Sequence, residues 1–253
     1  MFPPPDSGAA RWQADPLVLA VYRQGKPPEQ TQREADYIAD LLGLAAPAHL
    51  LDVPCGGGRL TVEMAARGCH VTGVDSEAAL LDDVRAAAAA RGLDERISVE
   101  QRDMRDLPWR AAFDGAYCFW ESFGFFDDAG NLAFLSAVAA ALKPGGRFVF
   151  DTHVAETMLP RLGQRPWEQV GDDLLVLEER DYDPAAAIMT RHLTIVGHGR
   201  TATLDVSTRL YTYRELVALL RSAGFAACEG YTWLSLVPFM MGAPRLLMVA
   251  SRG

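Results

Sequence analysis

Five short apolar segments alternate with helical segments between residues 48 and 153, and this alternation restricts the fold more than any other feature of the sequence. Each segment is as long as a strand and is almost continuously hydrophobic, which is typical of strands buried on both faces. Strands that alternate with helices form a parallel sheet covered by helices, and the crossover rule makes that sheet doubly wound. The predicted strands are HLLDV (49–53), CHVTGVD (69–75), ISVEQRD (97–103), FDGAYCFW (113–120) and GRFVFDTH (146–153).

Capping signals mark the helices around these strands. Apolar residues recur at helical spacing over residues 27–44, which predicts an amphipathic helix before the first strand. Ser76 is the expected N-cap of a long helix that ends at Gly92. Thr212 and Glu215 have the spacing of a capping box for one more helix near the end of the chain.

After residue 160 the helical spacing gives way to alternation with period two. Three segments of this kind, separated by short turns, predict an antiparallel meander of about 45 residues. Residues 226–236 and 244–252 are predicted to form an antiparallel hairpin at the edge of the main sheet. The expected fold is therefore α/β: a doubly wound, seven-stranded, mostly parallel sheet with an inserted antiparallel β meander.

Composition argues against several classes of partner. With a net charge of −9 and lysine only at Lys26 and Lys143, the chain lacks the clustered basic residues that nucleic-acid binding requires. No apolar run reaches the roughly 18 residues of a membrane span, and the first residues do not resemble a signal peptide. The four cysteines lack the spacing of a metal or redox motif, so a reducing cytoplasm and no metal are expected.

The stretch LLDVPCGGGRL, residues 50–60, joins the first predicted strand to a helix. Asp52 stands shortly before Gly56, Gly57 and Gly58, three consecutive residues that have no side chain to pack. Glycines let a ligand approach the backbone, and N–H groups at a helix N-terminus favour a carboxylate or a phosphate. Because open parallel sheets bind ligands beyond the carboxyl ends of their strands, a ligand site is predicted here.

Acidic residues also end the second and third strands. Asp75 can hold the hydroxyl groups of a ribose, and Asp103 can accept from an adenine amino group while Met104 packs on the ring. A dinucleotide-binding motif would need a third glycine where Thr61 stands, which disfavours a nicotinamide dehydrogenase. Acids at three strand ends suit a ligand with a cationic amino-acid end and an adenosine end, as S-adenosylmethionine has.

The sequence resembles the class I S-adenosylmethionine-dependent methyltransferases over residues 48–152. This resemblance implies a Rossmann-like methyltransferase fold with S-adenosyl-L-methionine as the cofactor. Pro54 stands where the family more often has glycine and, lacking an N–H, cannot donate a hydrogen bond there. Five motifs in the family's order carry the resemblance: LLDVPCGGGRL, HVTGVDSEAAL, QRDMRDLPW, FDGAYCFWESFGFF and LKPGGRFVFD.

The resemblance also implies which residues bind the cofactor. Asp52, Cys55 and the glycines 56–58 are expected to hold the methionine end. Asp75 is expected to bind the ribose, and Asp103 with Met104 the adenine. Tyr22 belongs to a segment that in similar enzymes folds over the cofactor. The complete expected set is Tyr22, Asp52, Pro54, Cys55, Gly56, Gly57, Gly58, Asp75, Ser76, Asp103, Met104, Phe119 and Trp120.

Four regions are expected along the chain. They are an N-terminal helical lid (1–46), the S-adenosylmethionine-binding core (47–160), the antiparallel insert (161–210) and the C-terminal part of the core (211–253). The insert resembles the antiparallel platform of several small-molecule methyltransferases, including sugar N-methyltransferases. By that resemblance it helps to shape the acceptor pocket and is a candidate surface for a homodimer.

The stretch CFWESFGFF follows the fourth strand, where the methyl group would point. Glu121 can hold a substrate amine or take its proton, with a surface acid at the rim as the alternative. His153, after the fifth strand, is the second candidate catalytic residue, with a structural role as the alternative. The aromatic residues can wall the site and favour a cation through their ring faces, or belong to the core. They are Trp120, Phe123, Phe125 and Phe126.

The insert adds candidate residues for binding the acceptor. Arg191, Arg209 and Tyr211 can bind an acidic group, since arginine forms paired hydrogen bonds with carboxylates. The favoured alternative is structural, with Arg191 pairing across strands with Glu178 or Glu179.

Together these features predict methyl transfer to a small polar acceptor, with nitrogen preferred because Glu121 and the aromatic wall suit an amine. The alternatives are O- or C-methylation, or use of S-adenosylmethionine as the sole substrate by cyclisation or as an aminopropyl donor. A non-catalytic module that binds the cofactor is a further alternative, which the acceptor-side residues Trp120, Glu121 and His153 disfavour.

Overall fold

The structure is a computed structural model that describes residues 15–23 and 26–253. The predicted lid therefore lies partly outside the described residues. No helix in these ranges is long and apolar enough to cross a membrane. The helices are α1 (Pro16–Arg23), α2 (Pro28–Leu42), α3 (Arg59–Ala66), α4 (Ala78–Arg91), α5 (Asp128–Ala141), α6 (Ala155–Met158) and α7 (Tyr213–Ser222). The strands are β1 (His49–Asp52), β2 (His70–Asp75), β3 (Ile97–Gln101), β4 (Phe113–Cys118), β5 (Leu142–Thr152), β6 (Trp167–Val170), β7 (Leu174–Asp183), β8 (Ile188–Gly197), β9 (Arg200–Arg209), β10 (Phe225–Thr232) and β11 (Leu246–Arg252).

The seven-stranded sheet confirms the predicted fold. Its strand order is β10-β11-β5-β4-β1-β2-β3. Strands β1 to β5 are parallel, and β11 runs antiparallel to both of its neighbours. The predicted hairpin of the last two strands lies at one edge. The strand order reverses between β1 and β4, so the carboxyl ends of these strands flank the crevice where ligands bind in such sheets.

Apolar side chains cover both faces of this sheet. Phe134 of α5 and Phe148 of β5 are fully buried in one cluster. Ile38 of α2 and Leu50 of β1 are buried in the other. Since helices bury both faces, the strand ends and the loops that follow them are where polar side chains can form a site.

The helix caps confirm one prediction and correct another. Thr212 and Glu215 form the predicted capping box at the start of α7. The prediction of Ser76 as the N-cap of α4 is wrong, because the helix begins later and the Glu77 side chain accepts from Ala79 N at 3.4 Å. The Glu77 side chain thus takes the Ala79 N–H that a Ser76 cap would accept, while the Asp75 carboxylate accepts from the N–H of Glu77.

The insert is a separate sheet of four strands in the order β6-β7-β8-β9. The predicted meander omitted β6, since an edge strand of four residues is too short to show periodicity. Helix α1 packs on the inner face of this sheet, where Leu17 and Val18 join a cluster with Ile195 and Leu204. The insert and α1 therefore share a small apolar core.

Candidate functional site

The three glycines after β1 form an open cradle. Gly56 and Gly58 have φ angles of 54° and 76°, in the left-handed region that other residues rarely adopt. Beyond its chain neighbours, a Cβ on Gly56 or Gly57 would meet no atom of residues 15–23 and 26–253 within 4 Å, so the space over these glycines is open in the described structure. At Gly58 a Cβ would lie 2.5 Å from Val84, so this glycine is required for packing. The open space suits a cofactor that contacts the backbone.

Asp75, at the end of β2, closes the cradle on one side. Its Oδ2 accepts from Gly56 N at 2.8 Å, and its Oδ1 accepts from Glu77 N at 2.9 Å. Burial raises the pKa of this carboxyl, while the two backbone N–H groups oppose the rise. Each carboxylate oxygen can accept a second hydrogen bond, so a ribose can still donate to Asp75.

Asp52, at the end of β1, is a buried acid with 3% of its surface exposed. Its Oδ2 accepts from the hydroxyl group of Thr61 at 2.6 Å. Burial raises the pKa of Asp52 to about 7, although the hydrogen bond from Thr61 acts in the opposite direction. A cationic ligand group nearby would favour the ionised form. Asp52 therefore fits the ammonium end of a methionine moiety.

The Asp52→Asn variant is expected to stabilise the ligand-free protein at pH 8 but not at pH 4. The unfolded acid ionises near 3.8, whereas the folded acid keeps its proton to about pH 7. The wild-type free energy of unfolding therefore falls as pH rises through this window, by an amount on the order of 1–4 kcal/mol that the variant does not lose. Urea unfolding of both proteins at the two pH values measures the difference. Equal stability at pH 8 would contradict a buried ionisable Asp52.

The acid after β3 is less enclosed. Asp103 accepts from Arg105 Nη2 at 2.6 Å and Nε at 3.0 Å. These hydrogen bonds hold the pKa of Asp103 below its usual value. Met104 is 9% exposed and Phe119 is 5% exposed, so both lie mainly in the core. An adenine at Asp103 would share the carboxylate with Arg105.

Trp120 and Glu121 form a strained turn directly after β4. Their φ angles are 71° and 62°, and a non-glycine residue in this region costs about 1–3 kcal/mol. The turn is held by Asp151 of β5, whose Oδ1 accepts from Trp120 N at 2.6 Å. Strain of this kind is commonly found at functional sites.

Glu121 is surrounded by three basic side chains. Its Oε1 lies 2.9 Å from His153 Nε2 and 2.5 Å from Arg245 Nη2, and its Oε2 lies 3.2 Å from Arg191 Nη1. Burial alone would raise the pKa of Glu121, but the contact with His153 and the charges of Arg245 and Arg191 outweigh burial and hold its pKa well below the usual range. Glu121 is therefore ionised and a poor proton acceptor, which argues against its predicted role as a base.

His153 presents its other ring nitrogen without a partner. Among the described residues, its buried Nδ1 forms no hydrogen bond. If the neutral ring donates from Nε2 to Glu121, Nδ1 carries the lone pair and can accept a proton. In such a pair the carboxylate fixes the tautomer and orientation of the imidazole. The geometry thus favours His153 over Glu121 as the base.

The side chain of Arg191 reaches from the insert to the site. It lies opposite Arg180 across β7 and β8, and its guanidinium reaches Glu121. The predicted pairing of Arg191 with Glu178 or Glu179 is wrong, because Glu178 pairs with Arg180 instead. The buried Nε of Arg191 has no hydrogen-bond partner among the described residues, so it can donate to an oxygen of a ligand.

Tyr22 of α1 approaches the same region. Its surface is 48% exposed, yet desolvation raises the pKa of its hydroxyl, and the charges of Arg191, Glu121 and Asp75 also act on it. The hydroxyl therefore lies within electrostatic reach of both the cradle and the Glu121 cluster.

The predicted aromatic wall is mostly core. Phe123 is 2% exposed and packs on Phe134 and Phe150, so its prediction as a substrate-binding residue is not supported. Phe125 packs in the cluster that α1 shares with the insert, and Phe126 packs on the main core. Aromatic residues that follow a strand end are typical of a site wall, but here the chain turns back into the core.

Trp120 remains at the site, but its ring is already surrounded by cations. Lys26 Nζ lies 4.6 Å from the ring centroid, and the guanidinium carbons of Arg245 and Arg59 lie at 5.1 and 5.6 Å. The predicted role of this ring in stabilising a cationic ligand is therefore disfavoured.

Arg209 and Tyr211 have structural partners. Tyr211 is 4% exposed, and its hydroxyl donates to Asp128 at 2.7 Å. Arg209 pairs with Asp128 at 3.0 Å and lies over the Tyr211 ring at 4.4 Å. Both residues join α5 to the end of β9, which argues against their predicted role in binding the acceptor.

Sequence reasoning missed Arg245. It precedes β11, yet its guanidinium links Glu121 to Asp151, where Nη1 lies 2.8 Å from Oδ2. No motif marks it, because it is distant from its partners in sequence and becomes their neighbour only through the strand order.

No group of three or more His, Cys, Asp or Glu side chains in the described part of the chain could hold a metal ion.

Two comparisons of sequence bear on this site. Residues 50–146 match the family described as a methyltransferase domain. The O-methyltransferase resE of Aspergillus sclerotiorum is 31% identical over 211 residues, which cover 74% of this chain and 79% of that protein. The ubiquinone biosynthesis O-methyltransferase of Alkalilimnicola ehrlichii is 36% identical over 120 residues, or 46% of each chain. The match thus spans about half the length of the ubiquinone biosynthesis O-methyltransferase.

Solved structures share the fold along nearly the whole chain. The CcbJ methyltransferase from Streptomyces caelestis has a TM-score of 0.78 at 20% identity, covering 93% of this chain and 96% of that one. CalS10 from Micromonospora echinaspora, an amino pentose methyltransferase with S-adenosylmethionine bound, has a TM-score of 0.70 at 23% identity, covering 95% and 98%. At these identities the likeness concerns the fold alone.

Proposed function

Because this chain belongs to the class I S-adenosylmethionine-dependent methyltransferases, we propose that it transfers a methyl group to a nitrogen atom of a small polar acceptor. When bound, the cofactor supplies an electrophilic methyl group on a sulfonium that is a good leaving group. The protein then has to bind both partners, align them and remove a proton from the acceptor. Alignment of this kind accounts for roughly 7–11 kcal/mol in favourable cases.

The cradle is the proposed cofactor site. Open space over Gly56 and Gly57, with the acids Asp52 and Asp75 at adjacent strand ends, supports this assignment. In this assignment Asp52 binds the ammonium group, Asp75 the ribose, and Asp103 the adenine. The remaining proposed contacts come from Tyr22, Pro54, Cys55, Gly58, Ser76, Met104, Phe119 and Trp120.

The observation that carries the proposed chemistry is the pair formed by His153 and Glu121. An amine acceptor is protonated near neutral pH and must lose that proton before its nitrogen can attack. His153 Nδ1 is buried and has no hydrogen-bond partner among the residues that the structure describes, and Glu121 holds the opposite nitrogen at 2.9 Å. His153 accepts the proton in this proposal, and Glu121 orients the imidazole and stabilises its charged form.

The preference for nitrogen over oxygen rests on the pair of His153 and Glu121. An ammonium acceptor has a proton to give to His153 Nδ1, and Glu121, 2.9 Å from the opposite nitrogen, stabilises the imidazolium that forms. The buried acids Glu34, Glu121 and Asp151 are each paired with an arginine, so they do not decide between the two acceptor atoms. The amino pentose specificity named for CalS10 agrees with this preference.

O-methylation of a phenol is the second candidate. The Nε of Arg191, for which the described part of the chain supplies no partner, can donate to an oxygen of the acceptor, and the curated relatives are named as O-methyltransferases. In the preferred proposal the same N–H binds a hydroxyl or carboxylate of the amine-bearing acceptor.

The test is to incubate the purified protein with S-adenosylmethionine and with matched acceptor pools, one of amino sugars and other small amines and one of phenols. We expect S-adenosylhomocysteine to form only when amines are present, with one methyl group gained on nitrogen by mass spectrometry. Methylation confined to the phenols would establish the second candidate instead. Release of methylthioadenosine without any acceptor would contradict methyl transfer altogether.

A further inference from the structure

Glu34 is a buried carboxylate that lies in none of the five methyltransferase motifs of the sequence. It lies on α2 and has none of its surface exposed. Three side chains donate to it: Gln30 Nε2 at 2.9 Å, Arg59 Nη2 at 2.5 Å and Trp120 Nε1 at 3.2 Å. A buried carboxylate is costly unless it is fully paired, so these three donors explain how the acid is tolerated. They do not explain why an acid is there.

Two of the three donors, Arg59 and Trp120, come from the segments that would flank the cofactor, whereas Gln30 lies on α2 itself. Arg59 is the first residue of α3 and directly follows Gly58 of the cradle. Trp120 begins the strained turn that carries Glu121 after β4. A single oxygen of Glu34, Oε2, accepts from both Arg59 and Trp120. The cradle and the acceptor-side turn are thus tied to the same atom of α2.

Other contacts restrict how the Arg59 guanidinium and the Trp120 indole can move relative to α2. Arg59 also donates through Nη1 to the hydroxyl group of Thr31 at 2.8 Å, so its guanidinium is bound to α2 at two points. The backbone N–H of Trp120 is bound by Asp151 at 2.6 Å, so the indole can swing only about its side-chain bonds. Under these restraints, the position of Glu34 sets how far the indole lies from the first turn of α3.

We propose that Glu34 is a positioning residue that sets the separation between the glycine cradle and the Trp120–Glu121 turn, and so preorganises the cofactor site. The inference rests on the proposed function. Its alternative is that Glu34 merely anchors α2 to the core. That anchor is already supplied by Ala35 and Ile38, which are fully buried, and by Leu42, which is 3% exposed.

The experiment is calorimetric titration of S-adenosylhomocysteine into wild type, Glu34→Gln and Glu34→Asp at a temperature well below all unfolding transitions. Glu34→Gln keeps the shape but loses the charge that Arg59 requires, and we expect affinity to fall about 10-fold. Glu34→Asp keeps the charge on a shorter side chain and should recover part of the loss. Rescue of this kind separates positioning by the charge from packing by the side chain.

The matched control is Asp114→Asn at the opposite end of β4. Asp114 pairs with Lys143 at 2.6 Å and accepts from His49 N at 2.9 Å, far from the carboxyl ends of the strands. This variant is expected to lower stability without changing the affinity for S-adenosylhomocysteine. It shows whether destabilisation alone weakens binding.

Trp120→Phe supplies a second, independent readout. It removes the indole N–H but keeps an aromatic ring, and in a double-mutant cycle with Glu34→Gln the two losses should overlap rather than add. Unchanged affinity in Glu34→Gln, or fully additive losses, would overturn the positioning role. If the wild type itself bound no S-adenosylhomocysteine, the proposed function would fail instead, so the two failures are distinguishable.

Discussion

The Gly57→Val variant is expected to lose at least about 100-fold in affinity for S-adenosylhomocysteine while its melting temperature stays within about 2 °C of wild type. A factor of 100 corresponds to roughly 2.7 kcal/mol of binding free energy. The reason is that a Cβ at Gly57 would meet no atom of the described residues within 4 Å apart from its chain neighbours, and that Gly57 has no left-handed φ angle. A valine there fills the open cradle without disturbing the fold.

Gly58→Ala is the matched contrast, because it should lower the stability of the fold, which Gly57→Val should not. Its φ of 76° is strained for alanine, and the added Cβ would lie 2.5 Å from Val84. The left-handed backbone and the overpacking together predict a loss of about 2–4 kcal/mol in the free energy of unfolding. Calorimetric titration and thermal unfolding of both variants measure the contrast. A Gly57→Val protein that still bound tightly would show that the ligand lies elsewhere.

The second large effect is expected for Glu121→Ala. Removing this carboxylate leaves His153, Arg191 and Arg245 together, with Asp151 as the remaining acid that pairs with Arg245. Breaking a buried ion pair in this way costs about 3–5 kcal/mol of stability. Because His153 loses its orienting partner, we also expect kcat to fall by roughly 10²–10⁴, the range of a misplaced general base. Urea unfolding and steady-state rates on the identified acceptor test both effects.

The pH dependence of stability separates the charge of Glu121 from its size. Its folded pKa lies below the unfolded value of 4.5, so its stabilising contribution is present above that value and is lost as pH falls below it. Glu121→Gln should therefore be less stable than wild type at pH 7, and the difference in the free energy of unfolding should narrow below pH 4.5.

His153→Ala should reduce kcat as strongly as Glu121→Ala, with S-adenosylhomocysteine binding unchanged. Full activity in His153→Ala would exclude it as the base.

The fold was predictable because its determinants are local. Apolar strand segments, glycine stops and the Thr212–Glu215 capping box each act within a few residues. Two features of the fold could not be predicted. The N-cap of α4 depends on which of two neighbouring side chains binds a backbone N–H, and β6 is a very short strand. The Glu77 side chain accepts from the Ala79 N–H that a Ser76 cap would need, and β6 is too short for its periodicity to register.

The candidate site was predictable on its cofactor side and much less so on its acceptor side. Asp52, Asp75 and the glycines follow strands directly, so their position comes with the topology. Arg245 and Glu34 reach the site from β11 and α2 through side-chain contacts between distant segments. The pairing of Arg191 depends on which face of β8 turns inward, which a sequence without its register does not reveal.

The central claim is that the crevice between β1 and β4 holds S-adenosylmethionine with its sulfur between the glycine cradle and the Trp120–Glu121 turn. A crystal structure with S-adenosylhomocysteine bound tests it most directly. We expect the ribose hydroxyls on Asp75, the ammonium group beside Asp52, and the sulfur facing the side of the site that contains His153. A ligand bound outside the cradle, or these carboxylates turned away from it, would contradict the claim.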